Sequence, residues 1–250
     1  MSTANCVSVT PQCPVEATTY GYRPNIAGNI FFAAIFGVLG VVQVVVNTYI
    51  QAWTFMVAVS IGCFLELLGY VARAEMHYNP WNPGMFKMQI VTLIIAPTFL
   101  AAAVYLTLKH IILSFGPEHS PMKPTLFTWI FITCDVFSLI LQAIGGGVAS
   151  GARADDSKTL SAGNNIMIAG IAFQVAAMLV CGVLAAIFAA RVFSARKNAG
   201  LPLVAIGPGP WSKGAAVGGE ILAYITILCR CIYRYAFPFS MSLMIMLLLT

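Results

Sequence analysis

The sequence predicts an all-α fold, a polytopic bundle of transmembrane helices, from three observations. The chain is 60% hydrophobic and 8% charged, whereas soluble domains carry about 25% charged residues. Long apolar runs follow one another, and the polar segments between them are short. Because a helix satisfies its own backbone hydrogen bonds, such runs are expected to cross lipid as helices.

The first two predicted helices form an antiparallel hairpin. Ile26–Tyr49 is uncharged and, at about 1.5 Å per residue, it exceeds a hydrocarbon core of about 30 Å. Ala52–Ala72 follows after a very short connection and contains the acidic residue Glu66.

Helices three and four contain residues that disturb or tighten helices. The third, Ile90–Leu108, contains Pro97, which removes a backbone hydrogen bond and predicts a kink. The fourth, Leu126–Ala149, ends in the triplet Gly145, Gly146 and Gly147. The triplet lacks the lysine and the strand–loop–helix setting of a nucleotide-binding loop, so close helix packing is expected there.

Helices five and six are predicted at Ile166–Ala190 and Gly214–Ile232. The apolar stretch Phe237–Thr250 reaches only about 21 Å as a helix, too short for an ordinary span. We therefore expect an N-terminal tail (1–25), a transmembrane domain with six clear spans (26–234) and a short apolar C-terminal tail (235–250).

The polar segments exclude one class of partner. The basic residues behind the net charge of +5 are dispersed, so no nucleic-acid partner is expected. Basic residues at membrane ends typically contact anionic headgroups. If the N-terminal tail faces an oxidising compartment, we expect Cys6 and Cys13 to close a small disulfide loop.

Three carboxylates lie inside predicted spans: Glu66, Asp135 and Glu220. Each costs about 2.5–3.5 kcal/mol near the centre of a membrane helix, so each needs a compensating role. They either relay protons or bind a cationic ligand, or they fix the bundle through interhelical hydrogen bonds. We favour the functional role for Glu66 and Asp135.

Polar residues share faces on helices two and four. Glu66, Gly69, Tyr70 and Arg73 are spaced i, i+3, i+4 and i+7, which places them on one face. Glu66 and Tyr70 are expected to be hydrogen-bonding neighbours, and Arg73 either holds a headgroup phosphate or snorkels to the membrane edge.

Helix four repeats this logic with Asp135, Ser138 and Gln142, and Gln174 lies midway along helix five. These residues predict a polar seam that faces other helices or a wet cavity.

An enzymatic function has little support. The three histidines, His77, His110 and His119, lie in loops or at helix ends and form no metal-binding set. No Gly-x-Ser-x-Gly nucleophile motif occurs. We expect no catalytic residue, no metal and no cofactor.

Several motifs occur in a characteristic order. They are Tyr22-Arg23-Pro24-Asn25 with Asn29; Glu66-x-x-Gly69-Tyr70-x-x-Arg73; Ala96-Pro97 with Ala102 and Tyr105; Asp135, Gln142 and Gly145-Gly146-Gly147; Gly163, Gly170 and Gln174; and Arg230-x-x-Tyr233-Arg234. Through them the chain resembles the fungal lipid-translocating exporter family, RTA-like proteins of aminocholesterol and sphingoid long-chain base resistance.

The resemblance implies a seven-helix plasma-membrane protein with its N-terminus outside. It implies export or flipping of sphingoid bases, with membrane lipids or amphiphilic small molecules as partners; some relatives are linked to porphyrin uptake. Glu66 or Asp135 would then receive the ammonium group of the base. The chain departs from the family pattern after Arg234, so a truncated seventh helix is expected.

Two other functions fit a polar seam. A receptor or sensor would bind a ligand there and signal through the loop after helix five. A regulatory or scaffold protein would use the seam for packing alone.

Overall fold

The computed structural model describes residues 13, 24–116, 118, 120–151, 157–198 and 213–248, nearly all of them helical. The helices are α1 (Ile26–Tyr49), α2 (Trp53–Tyr78), α3 (Pro83–Phe115), α4 (Pro124–Gly151), α5 (Ser157–Asn198) and α6 (Lys213–Leu248). The predicted all-α fold class is confirmed.

Five of the described helices, α1 to α5, are long and apolar enough to cross a membrane. The described part of α6 carries Glu220, Arg230 and Arg234, and such charges are rare in membrane spans. The protein is therefore an integral membrane protein with several helical spans. A sixth span and a truncated seventh helix remain predictions.

All the helices except α1 extend beyond the apolar runs that predict them, and the difference is large for α3, α5 and α6. The predicted starts at Ile90 and Ile166 are late, because α3 begins at Pro83 and α5 at Ser157; the predicted end at Ile232 is early, because α6 continues to Leu248. Asn82 caps α3 through its Oδ1, which accepts hydrogen bonds from the Gly84 and Met85 amides at 3.0 and 3.3 Å. Hydropathy marks the part of a helix suited to lipid, whereas helical hydrogen bonding continues into polar flanks.

The chain divides into two compact units, residues 1–100 and 101–250. In the first unit, α1 and α2 follow each other through a tight turn in which Gln51 has a φ of 57°. Asn25 caps α1 by accepting from the Ala27 and Gly28 amides at 3.0 and 3.3 Å. His77 Nδ1, near the end of α2, lies 2.7 Å from the Pro24 carbonyl oxygen. These contacts position the chain that enters α1.

Glycines bring α2 against the first half of α3. A Cβ added to Gly69 would lie 2.5 Å from the Leu93 side chain, and one added to Gly62 would lie 2.8 Å from Leu100. Both distances are too short for a real contact. A larger residue at either glycine would therefore require these leucine side chains to move.

A second close approach joins α4 and α5 within the second unit. A Cβ added to Gly163 would lie 2.5 Å from the Ala149 amide nitrogen, and one on Gly145 would lie 2.7 Å from the Gly163 carbonyl oxygen. A Cβ on Gly146 or Gly147 would meet nothing within 4 Å. Close packing is thus a property of Gly145 alone in the triplet, and it brings the polar side chains of α4 near those of α5.

Candidate functional site

Four of the polar residues singled out by the sequence are buried inside apolar helices. Glu66 is 0% exposed, Asp135 and Gln142 are each 1% exposed, and Gln174 is 3% exposed. Burying such groups costs free energy unless they find partners or serve a ligand. Their hydrogen bonds therefore decide what each one does.

Asp135 is the centre of a polar cluster in the second unit. The Tyr105 hydroxyl of α3 donates to Asp135 Oδ2 at 3.1 Å. Tyr105 is itself fully buried, and its carbonyl oxygen accepts from the Thr128 hydroxyl at 3.4 Å. The aromatic side chain is thereby held between α3 and α4 with its hydroxyl on the acid.

The second carboxylate oxygen of Asp135 has an unused acceptor position. Among the described residues, Asp135 Oδ1 accepts no hydrogen bond although it is buried. A carboxylate has about four acceptor positions on its two oxygens. Asp135 therefore retains acceptor capacity for a ligand that donates hydrogen bonds.

The cluster continues along α4 to the neighbouring helices. Gln142 Nε2 donates to Gln174 Oε1 on α5 at 3.2 Å and approaches Ser138 Oγ at 3.5 Å. Arg234 Nη2 on α6 donates to Gln142 Oε1 at 2.9 Å. We call Tyr105, Asp135, Ser138, Gln142, Gln174 and Arg234 the Asp135 cluster; it connects four helices of the second unit.

Sequence reasoning did not assign two members of this cluster to the site. Tyr105 appears only among the ordered motifs, because its apolar run does not indicate which helix it faces, and Arg234 lies beyond the predicted end of helix six at Ile232. Arg234 becomes a candidate site residue once α6 is known to continue to Leu248, because the arginine then lies within the helix and not at its end. An arginine in that position needs polar partners.

Glu66 belongs to the first unit, on the face of α2 that packs against α3. Gly62 and Gly69, one turn before and one turn after Glu66, both approach α3 closely. Helical spacing places Glu66 on the same stripe. Within α3, Pro97 donates no helical hydrogen bond, because proline has no amide hydrogen.

Tyr70 and Arg73 complete the predicted face of α2. The Tyr70 ring stacks on Phe32 and Phe36 of α1, with ring centroids 5.3 and 5.8 Å apart. Arg73 is half-buried near the end of α2. Although the spacing predicts one face, Gly69 thus packs on α3 and Tyr70 on α1.

The predicted site residues fall into two groups. Glu66, Tyr70 and Arg73 lie in the first unit, and Asp135, Gln142 and Gln174 lie in the second. In the second group, Tyr105 is bonded to Asp135, whereas Gln142 is bonded to Gln174 and Arg234. Ser138 links the two sets, because its hydroxyl donates to the Asp135 carbonyl oxygen at 2.9 Å. A single seam that joins both groups remains a prediction.

Other predicted features concern cysteines and metals. Cys13 is disulfide-bonded, whereas Cys6, its predicted partner, lies outside the described residues. Within the described ranges, no three His, Cys, Asp or Glu side chains group as metal ligands would.

Comparisons with known proteins agree with the motifs. Residues 59–238 match the family model described as RTA1 like protein. The sphingoid long-chain base transporter RSB1 of Saccharomyces cerevisiae (strain Lalvin EC1118) is 35% identical over 178 residues, which cover 69% of this chain and 46% of that protein.

Two further relatives come from Saccharomyces cerevisiae (strain S288c). Protoporphyrin uptake protein 1 is 34% identical over 115 residues, covering 46% of this chain and 36% of that protein. Protein RTA1 is 27% identical over 182 residues, covering 63% and 56%. No solved structure matches the chain.

The chain spans about half the length of the curated relatives that it matches. The family model, however, covers well over half of this chain, from the second turn of α2 into α6. The Asp135 cluster lies entirely within the matched residues. The chain therefore belongs to the RTA1 like protein family.

Proposed function

We propose that this protein translocates lipids and amphiphiles, such as sphingoid long-chain bases, across the plasma membrane and so gives resistance to toxic lipids. Its membrane helices and its kinship with a sphingoid long-chain base transporter and a protoporphyrin uptake protein support this proposal. In this proposal the N-terminal tail is extracellular, and the chain is a transporter rather than an enzyme.

The observation that carries the proposal is the open acceptor of Asp135. A carboxylate that serves packing alone would be expected to use its acceptors on neighbouring helices. Asp135 uses Oδ2 for Tyr105, while Oδ1 accepts no hydrogen bond in the described parts of the chain. The ammonium group of a sphingoid base offers both the positive charge and the N–H donors that this oxygen lacks.

The remaining residues have supporting roles in this proposal. Gln142 and Gln174 hold α4 and α5 together beside the acid and offer amide groups to the hydroxyls of a lipid headgroup. Glu66 and Tyr70 form a second polar position in the first unit, and Arg73 contacts headgroup phosphate at the membrane edge.

Efflux of a labelled sphingoid base from cells tests the proposal. We compare cells that express this chain, its Asp135→Asn variant or an empty vector, at equal surface expression. Asp135→Asn keeps the size of the side chain and removes the charge that binds the ammonium group. Because a hydrogen bond to a charged group contributes about 1.5–3 kcal/mol, efflux is expected to fall roughly tenfold or more.

Glu75→Gln is the matched control, since it makes the same chemical change at an exposed acid of α2. It should leave efflux unchanged. Efflux equal to that of the empty vector in every case would contradict transport by this chain. Equal efflux in wild type and Asp135→Asn would remove Asp135 from the site and favour a regulatory or receptor role.

A further inference from the structure

The second unit contains a cavity of about 400 Å³ between α3, α5 and α6. Its size falls in the range of about 300–1,000 Å³ that is typical of small-molecule sites. The lining is almost entirely aliphatic and aromatic; it includes Val104, Leu108, Ile111, Phe188, Val192 and Ile221. Such a lining is suited to a hydrocarbon chain.

One acidic side chain, Glu220 of α6, lines this cavity. Its Oε1 atom is buried and accepts no hydrogen bond from the described residues. Tyr224, one turn further along α6, directs its hydroxyl to the Met178 carbonyl oxygen at 2.7 Å. No lysine or arginine is among the described residues of the lining. Within its described lining, the cavity thus contains a carboxylate and no basic side chain.

The cavity also reaches the outer surface of the helices. Ile221 on α6 and Phe193 on α5 both line it, yet they are 54% and 49% exposed. Apolar side chains exposed on a membrane helix face the hydrocarbon of the bilayer. The cavity is therefore accessible from the surface between these two side chains. The Arg196 guanidinium lies outside the lining, 4.9 Å from the centroid of the Phe115 ring that lines the cavity.

This cavity is separate from the Asp135 cluster. Val104 lines the cavity, whereas the next residue, Tyr105, donates to Asp135 on α4. Successive residues on a helix point about 100° apart. The cavity and the cluster therefore lie against different sides of α3.

We propose that this cavity binds one single-chain amphiphile with a primary ammonium group, in which Glu220 holds the ammonium and the apolar lining holds the chain. The assignment rests on the proposed transport function and adds to it a second binding position for the same substrate class. Charge complementarity selects a cationic over a neutral amphiphile, because the half-buried Glu220 carboxylate has no other positive partner in the described lining.

Equilibrium binding of radiolabelled hexadecylamine to the purified full chain in detergent tests this assignment. Unlabelled hexadecanol, which has the same chain without the charge, is the competitor that reports selectivity. Measurements in the Asp135→Asn background remove the contribution of the proposed transport site. Glu220→Gln is expected to weaken hexadecylamine binding roughly tenfold and to abolish the preference for the amine over the alcohol.

A second variant tests the cavity independently of the charge. Ala185→Leu adds bulk to the lining and should weaken binding of both amine and alcohol. There are two matched controls outside the lining. Glu75→Gln changes an exposed acid of α2, and Ala190→Leu changes an exposed alanine of α5. Both controls should bind as the parent does.

The outcomes separate this inference from the transport proposal. Unchanged hexadecylamine binding in Glu220→Gln or in Ala185→Leu overturns the cavity assignment, even if cells export sphingoid base normally. Hexadecanol that competes as well as the amine overturns the role of Glu220. Absence of sphingoid-base efflux from wild-type cells, measured separately, overturns the transport proposal instead.

Discussion

At the scale of single residues, a buried acid is explained by what its two oxygens contact. Asp135 is 1% exposed and shares one oxygen with Tyr105 at 3.1 Å. The sequence alone identifies Asp135 as a candidate functional residue, because a carboxylate is energetically costly in an apolar helix. The sequence does not identify Tyr105 as the partner of Asp135, since nothing in an apolar run distinguishes an aromatic residue that faces the acid from one that faces lipid.

Tyr105→Phe is expected to destabilise the protein by about 0.6–2 kcal/mol, the range for interhelical hydrogen bonds in membranes. The variant keeps the ring and leaves the buried carboxylate without its tyrosine donor. Thermal unfolding in detergent, followed by size-exclusion chromatography, measures the change.

Tyr49→Phe is the control for this substitution, because Tyr49 is 90% exposed at the end of α1. It should unfold at the wild-type temperature. Identical unfolding temperatures for the two variants would mean that the hydrogen bond to Asp135 does not stabilise the fold.

At the scale of helices, small residues set how closely two elements approach. Gly145 and Gly163 place the backbones of α4 and α5 in contact, and Gln142 and Gln174 then lie within hydrogen-bonding distance. The glycine triplet predicts close packing, but only the geometry identifies Gly145 as the member that packs. A run of glycines cannot indicate which of its residues faces the neighbouring helix.

Gly163→Val should force α4 and α5 apart, because the added carbon would lie 2.5 Å from the Ala149 amide nitrogen. Overpacking typically costs about 1–3 kcal/mol, and a rigid backbone neighbour places this site at the upper end. The unfolding temperature in detergent should drop, and efflux should decrease with it.

Gly146→Val makes the same change on α4, where a Cβ would meet nothing within 4 Å. It should leave both quantities near wild type. Equal effects of the two substitutions would show that helix propensity, and not the contact between α4 and α5, accounts for the loss.

At the scale of the whole molecule, composition predicts the fold class, and hydropathy predicts the order of the helices that the structure describes. Helix ends are less predictable: α6, for example, continues past its predicted end at Ile232 to Leu248. The arrangement of polar residues is predicted only in part. Spacing places residues on one face of one helix, but it carries no information on which neighbouring helix meets that face.

Movement of a labelled sphingoid base between the leaflets of phosphatidylcholine vesicles tests the central claim most directly. The vesicles contain only the purified full chain, so no other transporter can act, and albumin outside extracts the base that reaches the outer leaflet. Transport by this chain predicts faster extraction than from protein-free vesicles and a return to the protein-free rate in Asp135→Asn. Equal rates for wild-type and protein-free vesicles, with folded protein recovered from the membrane, would contradict it.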